Sequence, residues 1–263
     1  MKMKMNTLLA VVEHSAAVVS SAVREYAAFF KNKQAMFLGQ KKTYSPREGY
    51  PDDPSKVGTT IVTTTVDEKF DWLLPKLKEH YHNLFSIEAT NSAGAPTIEL
   101  KVGNKSFGKL TALELMRLKN ILTSADLTTM YSLIPVRSDA EVWKKSENAD
   151  YEGREVYETE MLSGVAKTTE SNEEILQDPN LDPTHLPANY RPAITTKKKT
   201  VEIGDYTMQK FSGEWNQRQR AELLRRKSEL LSAVIEALKN INDTEVKETN
   251  LDVNALFDYI HKG

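Results

Sequence analysis

The spacing of apolar residues predicts a chain built mainly from long helices. Between residues 6 and 34, apolar side chains recur every three or four positions, as they do on one face of an α-helix. Few charged residues interrupt the middle of this segment, so its polar face is narrow. A helix that is apolar on most sides is usually covered on more than one side. We therefore expect another surface, from this chain or a second subunit, to pack against it.

The same periodicity predicts the other helices. They cover residues 67–85, 111–131 and 216–240, and a short final helix covers residues 253–261. Asp67 is expected to cap the first of these three long segments. Pro75 lies inside that segment and is expected to kink or restart the helix, because proline cannot donate the helical hydrogen bond.

Strands are predicted between the helices. Residues 61–66 are β-branched, and residues 97–102 alternate strictly before a Gly-Asn turn. Residues 151–169 have extended character, whereas residues 173–190 contain three prolines and are predicted to be mostly loop. Residues 199–211 are predicted to form a hairpin that turns at its Gly-Asp pair, since such a pair between alternating runs favours a tight turn.

Together these elements indicate an α+β fold, with four long helices forming a helical core and antiparallel β-hairpins inserted in the middle. A length of 263 residues, with 40% hydrophobic and 27% charged residues, suits a globular chain with a sizeable core. We expect a single α+β domain over residues 1–263, with a β-rich insertion at about residues 137–213.

Charge is the most uneven property of the chain, although the net charge is only −2. Residues 139–182 carry thirteen acidic and four basic side chains, which gives −9. Residues 191–239 carry eleven basic and six acidic side chains, which gives +5. The acidic and the basic block are adjacent in sequence, and they could pair within one subunit or between neighbouring subunits.

Composition and motifs narrow the chemistry. The chain has no cysteine, which excludes disulfides, thiolate nucleophiles and cysteine-bound metals. The sequence contains no nucleophile elbow, Walker loop or dinucleotide-binding glycine loop. Glu79 and His82 have the Glu-x-x-His spacing of carboxylate-bridged metal sites, but a second copy with further carboxylates is missing. We therefore assign no catalytic residue, no metal ligand and no cofactor.

The N-terminus favours a cytoplasmic location. Lys2 and Lys4 precede an apolar run, but Glu13 and His14 interrupt it after five residues. A secretory signal needs a core of about seven to fifteen apolar residues. No uninterrupted run approaches the roughly eighteen residues needed to span a membrane. We expect a cytoplasmic protein without a membrane partner.

A basic region near the C-terminus suggests one binding function. Six cations of the predicted hairpin and last long helix form a candidate nucleic-acid surface: Lys197, Lys198, Lys199, Arg218, Arg225 and Arg226. Such a surface would hold phosphates by charge. Glu222 and Glu229 lie three or four residues from these arginines, which is typical of ordinary ion pairs along a helix.

Residues 206–213, Tyr-Thr-Met-Gln-Lys-Phe-Ser-Gly, followed by the Arg/Leu-rich helix, resemble a bacterial family of unknown function associated with actinobacterial genomes. Further similar segments follow in the family's order: residues 6–13, 44–46, 84–90, 134–136 with Trp143, and 184–188. The sharpest similarity is at residues 210–213. The chain departs from the pattern from Thr249 onwards, where it adds a tail. The resemblance implies one intact architecture in the bacterial cytoplasm and carries no known activity.

The leading hypothesis is a non-enzymatic, oligomer-forming or scaffold protein that interacts with itself or with another protein. It rests on the narrow polar face of the first helix, the adjacent blocks of opposite charge, and the lack of a catalytic motif. The candidate partner interface lies on the first helix, at Val12, Ala16, Val19 and Val23. Two alternatives remain: an RNA- or DNA-associated accessory protein that uses the basic residues, and a metal-dependent enzyme.

Overall fold

The computed structural model describes residues 4–176, 193–242 and 251–262. Contacts within the chain divide it into two compact units, each discontinuous in sequence. Unit 1 contains Met1–Ala28, Trp72–Leu133 and Arg218–Gly263. Unit 2 contains Phe29–Asp71 and Ile134–Gln217. The expected single domain with an insertion at about residues 137–213 stays a prediction.

The structure confirms the α+β class, since it contains both helices and antiparallel sheets. The described residues contain six α-helices: α1 Met5–Asn32, α2 Val66–Asn91, α3 Ala112–Leu122, α4 Ala125–Ser132, α5 Gln217–Ile241 and α6 Val253–Lys262. Only α1, α2 and α5 are long, so the expected count of four long helices is corrected. The segment predicted as one helix over residues 111–131 is interrupted at Thr123 and Ser124. There the Thr123 hydroxyl bonds back to the Lys119 carbonyl at 2.9 Å and Ser124 takes an extended conformation.

Two helices begin with reciprocal capping hydrogen bonds. At the start of α3, Thr111 and Glu114 each accept from the other's backbone N–H. At the start of α2, Thr65 and Glu68 form the same arrangement at 3.1 and 3.0 Å. Thr65 therefore caps α2, and the predicted cap Asp67 is wrong. The helix also continues through Pro75 to its end, so the proline does not restart it.

Unit 1 contains a helical core and a small hairpin. Its hairpin is formed by β3 Thr97–Val102 and β4 Lys105–Thr111, and it turns at Gly103, where φ is +56°. The predicted strand and Gly-Asn turn are thereby confirmed. Leu100 of β3 packs with Leu115 of α3 and Val234 of α5 in one buried cluster. The apolar stripes read from the sequence thus meet in this core.

Unit 2 contains an antiparallel sheet. Its strands are β1 Leu38–Pro46, β2 Gly58–Thr60, β5 Trp143–Lys145, β6 Tyr157–Thr159, β7 Leu162–Leu176 and β8 Ala193–Ser212. They are ordered β2-β1-β8-β6-β5, and β7 also pairs with β8. The strand predicted at residues 61–66 is wrong, because β2 ends at Thr60. Val62 instead packs in the core with Tyr151, Val156 and Phe211.

β8 is a continuous strand, and the hairpin predicted to turn at Gly204 and Asp205 is wrong. Gly204 pairs with Pro46 of β1 on one side and with Ala166 of β7 on the other. A Cβ atom at Gly204 would lie 2.6 Å from the Ser45 carbonyl oxygen and would also overlap the Tyr44 ring. Close packing against β1, rather than a turn, therefore accounts for this glycine.

The longest antiparallel partner of β8 is β7, which begins in the segment predicted to be extended, residues 151–169, and ends in the segment predicted to be mostly loop. Residues 173–176 of the expected loop belong to β7, so that part of the prediction is corrected. The remaining residues 177–190 lie outside the described residues. The predicted last long helix and the short final helix correspond to α5 and α6 and are confirmed.

Candidate functional site

The outer parts of β7 and β8 form a two-stranded ribbon. β8 pairs with β1 only from Gly204 to Ser212, whereas its pairing with β7 starts at Ala193. We call residues 167–176 of β7 together with residues 193–202 of β8 the ribbon. Among the described strands, none pairs with the second edge of either ribbon strand. The ribbon therefore presents two rows of backbone groups that no described strand occupies.

The described side chains of the ribbon bury no apolar face. Every residue from 167 to 174 is exposed, and so are residues 196–200. Ile194, an apolar ribbon residue, is 58% exposed. A two-stranded sheet without apolar cover is only marginally stable in water. Additional strands or another covering surface would therefore stabilise this part of the protein.

Opposite charges face each other across the ribbon. Glu170 lies directly opposite Lys199, and Asn172 lies opposite Lys197. The Lys197 ammonium also contacts the Glu174 carboxylate at 2.5 Å. The acidic block and the basic block of the sequence therefore pair here within one subunit. This was one of the two arrangements that the sequence left open.

The inner end of the ribbon is fixed by contacts from the segment that follows β1. The Tyr50 hydroxyl donates to the Glu170 carboxylate at 3.0 Å, and this hydrogen bond raises the pKa of Tyr50. Arg47 forms an ion pair with Glu202 of β8. Between Ala166 and Lys167 the register shifts by one residue, so Ile203 of β8 is the extra residue of a β-bulge. These features set where the ribbon starts and which residues face each other.

The structure places the predicted nucleic-acid residues in two different units. Lys197, Lys198 and Lys199 lie on the ribbon in unit 2. The arginines at positions 218, 225 and 226 lie on α5 in unit 1. Nucleic-acid binding by these residues stays a prediction.

On α5, ion pairs along the helix offset much of the arginine charge. The Glu222 carboxylate accepts from Arg225 at 2.7 Å and from Arg226 at 2.8 Å. Arg225 also pairs with Glu229. The hydrogen bonds from Arg225 and Arg226 lower the pKa of Glu222 to about 2. The alternative interpretation of these charges, as ordinary intrahelical pairs, therefore holds for Arg225 and Arg226.

The predicted partner residues on α1 divide between the inside and the outside of unit 1. Val12, Val19 and Val23 are buried at 8%, 7% and 4% exposure, whereas Ala16 is exposed. The three valines face the interior of their own subunit, so they are not available to a partner in this conformation. The exposed apolar residues of α1 are different ones, among them Leu9, Val11 and Val18.

The length and composition of α1 bear on the expectation that no segment is suited to span a membrane. By length and composition, it is the one helix among the described residues that is long and apolar enough to cross a bilayer. A stretch of 18 residues within α1 has a mean hydropathy of 1.2. The core helix of a soluble protein and an N-terminal signal sequence meet the same criterion, so this property does not assign a location.

A serine–histidine contact in unit 1 was missed by sequence reasoning. Ser15 of α1 and His80 of α2 lie 2.7 Å apart, measured from Oγ to Nδ1. His80 is 6% exposed, and its burial lowers the pKa of the imidazole, which favours the neutral ring at pH 7. In the part of the chain that the structure describes, no carboxylate bonds to His80 to complete a triad. Periodicity had marked both positions only as helical.

The Glu-x-x-His pair gains no partners in the structure. Glu79 and His82 are both exposed on α2. Within residues 4–176, 193–242 and 251–262, no three histidine or carboxylate side chains are grouped in a way that could hold a metal ion. The described residues therefore add nothing to the metal-enzyme alternative.

Unit 2 contains an open cavity of about 920 Å³ beside the sheet. Its walls are mainly apolar and include Leu38, Ile61 and Trp143. At its polar end, Lys210 forms an ion pair with Glu141. Pockets of this volume and character commonly bind small molecules. The charge of the Lys210 ammonium is offset by this ion pair with Glu141.

Comparison with known proteins places the chain in a family. Residues 2–263 match the model of a family of unknown function, DUF7873. The chain belongs to this family. The match reaches residue 263, so the tail from Thr249 that looked like an addition lies within the DUF7873 pattern. Searches of curated proteins and of solved structures gave no significant match.

Residues 210–213, the sharpest part of the sequence resemblance, lie at the inner end of β8 in this DUF7873 chain. Phe211 is buried in the unit 2 core. The Gly213 N–H donates to the Phe37 carbonyl at 2.8 Å. A Cβ atom at Gly213 would lie 2.8 Å from the Thr64 carbonyl oxygen, so the backbones approach too closely for a side chain. Close backbone packing accounts for this glycine, and it needs no functional explanation.

Proposed function

We propose that this protein is a non-enzymatic scaffold of the bacterial cytoplasm that assembles with copies of itself through the ribbon. The observation that carries the proposal is a pair of ten-residue strand segments whose outer edges pair with no described strand and whose described side chains bury no apolar face. An open strand edge is a template for pairing with another chain. Proteins that stay monomeric usually shorten, interrupt or cover such edges.

Energetics support a partner for the ribbon. Two isolated strands gain little from burial, because each pays the full cost of ordering its backbone without covering apolar surface. Strands from a second copy would add backbone hydrogen bonds along each open edge. Pairing with a copy of the same chain therefore offers the ribbon what its own subunit does not supply.

The exposed side of α1 gives a second, weaker support. Val11 is 38% exposed and Val18 is 45% exposed, and their spacing of seven residues places them on one face of this helix. Apolar residues grouped on one exposed helix face often mark a contact with another protein. A contact here would add to the ribbon and would use residues other than the predicted valines.

The other two hypotheses gain less support. A nucleic-acid surface requires available cations, but Arg225 and Arg226 are paired along α5 and Lys197 is paired with Glu174. A metal enzyme requires converging ligands, and Glu79 and His82 are exposed and belong to no group of three potential ligands among the described residues. Self-assembly is the hypothesis that accounts for the ribbon and its unpaired edges.

The first test is the native mass of the full chain. One subunit has a mass of 29.7 kDa. Light scattering coupled to size-exclusion chromatography should give a multiple of this mass at micromolar concentration and low salt. A single-subunit mass across all protein and salt concentrations would contradict self-assembly.

A shortened ribbon tests whether the ribbon is the contact. Residues 169–200 are replaced by an Asn-Gly turn, which joins the facing residues Thr168 and Val201. This variant should be monomeric, while its thermal unfolding stays close to that of the parent chain. The matched control changes Val11 and Val18 to alanine on α1 and should remain assembled. If only the control variant dissociates, the protein self-assembles through α1 and not through the ribbon.

A further inference from the structure

We infer that subunits join head to tail, with the β7 edge of one ribbon pairing with the β8 edge of the next. This inference rests on the proposed self-assembly and adds its geometry. The occupant of each open edge is a second copy of this chain, and the two edges of one ribbon have different partners. Charge decides between this arrangement and a two-fold one.

The two ribbon strands carry opposite net charge. Residues 167–176 of β7 contain three glutamates and one lysine. Residues 193–202 of β8 contain three lysines and one glutamate. One open edge of the ribbon is therefore acidic and the other is basic. An acidic edge and a basic edge are complementary when they belong to different subunits.

Two-fold pairing would bring like charges together. If β8 paired antiparallel with β8 of a second copy around Lys198, Lys197 would face Lys199 of that copy. If β7 paired with β7 around Asn172, Glu170 would face Glu174. Like charges directly opposite each other destabilise a sheet. Both two-fold arrangements are therefore disfavoured.

Head-to-tail pairing repeats the register already found inside one subunit. Within the ribbon, β7 and β8 are antiparallel, and Glu170 faces Lys199. Placing β7 of the next copy beside the open edge of β8 gives another antiparallel pair with the same opposite charges. The charges of the ribbon thus favour pairing between the β7 edge of one copy and the β8 edge of another.

A head-to-tail contact leaves one unused edge at each end of any open assembly. Such contacts close into a ring when the rotation per subunit allows it and otherwise continue as a filament. Assemblies of more than two subunits are therefore expected. A two-fold ribbon contact through one edge would stop at a dimer.

A charge-swapped chain tests the inference. It carries Glu170→Lys, Glu173→Lys and Glu174→Lys together with Lys197→Glu, Lys198→Glu and Lys199→Glu. Its net charge stays at −2, and opposite charges still face each other inside the ribbon. Far-ultraviolet circular dichroism and thermal unfolding establish that it folds like the parent chain.

Head-to-tail pairing gives a specific expectation for mixtures. The swapped chain should assemble with itself to the same mass as the parent chain. Mixed with the parent chain, it should form few joint assemblies, about tenfold fewer than two differently labelled parent populations form. Native mass spectrometry with isotope labelling measures this exchange. Few joint assemblies are expected because each contact between a parent and a swapped chain brings edges of like charge together.

Two-fold pairing predicts the reverse result for the same mixture. A swapped β8 edge is acidic and would pair readily with the basic β8 edge of the parent chain. Preferential mixed dimers would therefore overturn head-to-tail assembly, and so would a folded swapped chain that does not assemble. A parent chain that is monomeric at every concentration would instead contradict the proposed function itself.

Two half-swapped chains provide a second measurement. One carries only the three Glu→Lys substitutions at positions 170, 173 and 174. The other carries only the three Lys→Glu substitutions at positions 197, 198 and 199. Each alone has edges of a single sign, and like charges also face each other inside its own ribbon, so each should be monomeric. Their equimolar mixture should recover assemblies larger than a dimer, because every contact between different chains is then complementary. Recovery of a dimer only would contradict the head-to-tail contact.

Discussion

The two halves of β8 have the same extended backbone but different surroundings. The inner half, Gly204 to Ser212, has strands on both sides and ends at Phe211 and Ser212, which are 4% and 0% exposed. The outer half, residues 193–203, pairs on one side only among the described strands. The inner half therefore holds unit 2 together, whereas the outer half is available for contacts with other molecules.

The largest contrast between the halves is expected from apolar side chains. Phe211→Ala removes a ring that packs 5.3 Å from the Tyr151 ring in the unit 2 core. We expect it to lower the free energy of unfolding by about 3–5 kcal/mol, because the cavity is only partly refilled. Ile194→Ala in the outer half should change it by less than about 0.5 kcal/mol. Urea unfolding of the monomeric protein measures both values, and equal losses would refute the contrast.

A second contrast concerns glycines of the sheet. Gly204→Ala introduces a Cβ atom that overlaps the backbone of β1, and we expect a loss of about 1–3 kcal/mol. Gly58→Ala is the matched control, because a Cβ atom there meets no atom within 4 Å. The control should retain its stability or gain slightly, since alanine restricts the unfolded chain. Similar melting temperatures for the two variants would show that the close packing at Gly204 is unimportant.

The end of the inner half should also respond to pH. Burial raises the pKa of Glu214, just after β8, so the native state binds its proton more tightly than the unfolded state. Proton binding by Glu214 therefore adds to the free energy of unfolding. This contribution is complete below the ordinary carboxyl pKa of about 4.5 and is lost as pH rises through the raised pKa of the native state. Glu214→Gln should therefore be more stable than the parent chain at pH 7. This advantage should shrink towards pH 4, and an advantage independent of pH would exclude Glu214 as its source.

The smallest effect is expected from the ion pair of the outer half. The side chains of Lys197 and Glu174 are 66% and 54% exposed, so water screens their attraction. A double-mutant cycle with both alanine substitutions should give a coupling of about 0.2–1 kcal/mol in the monomer. A coupling well above this range would mean that the ribbon is stabilised within one subunit and needs no partner.

Local patterns were sufficient to predict most helices. The apolar stripe of α5 depends on a period of 3.6 residues, and the structure buries Val234 from that stripe. The break between α3 and α4 was missed because Thr123 and Ser124 include neither glycine nor proline, the strong stop signals of a helix. The hydroxyl of Thr123 that ends α3 bonds to backbone within its own turn, and serine and threonine do this only in some helices.

The sheet was harder to predict, because its strands pair across long distances in sequence. Gly204-Asp205 has the composition of a tight turn, yet the neighbouring Tyr44 and Ser45 on β1 occupy the space beside the glycine. No local pattern contains that information. The ribbon was missed for the same reason, since its exposed strands lack the apolar alternation by which half-buried strands are recognised.

At the candidate sites, contacts within one helix could be predicted from the sequence, whereas contacts between helices could not. The spacing of Glu222 and Arg225 predicted an ion pair that the structure contains, because both residues lie on one helix. The contact between Ser15 and His80 joins two helices, so it depends on tertiary packing. Likewise, periodicity identified the apolar positions of α1 but could not tell which of them face inward.

Because most of the ribbon side chains that the structure describes are exposed, the length of the ribbon is not tied to the core. Side chains alternate along a strand, so adding two residues to each strand would keep the same faces and lengthen the ribbon by roughly 6.5 Å. Such insertions would leave the buried end of β8 at Phe211 unchanged. Within the family, the length of the ribbon is therefore free to diverge through insertions and deletions while the globular part of the protein stays constant.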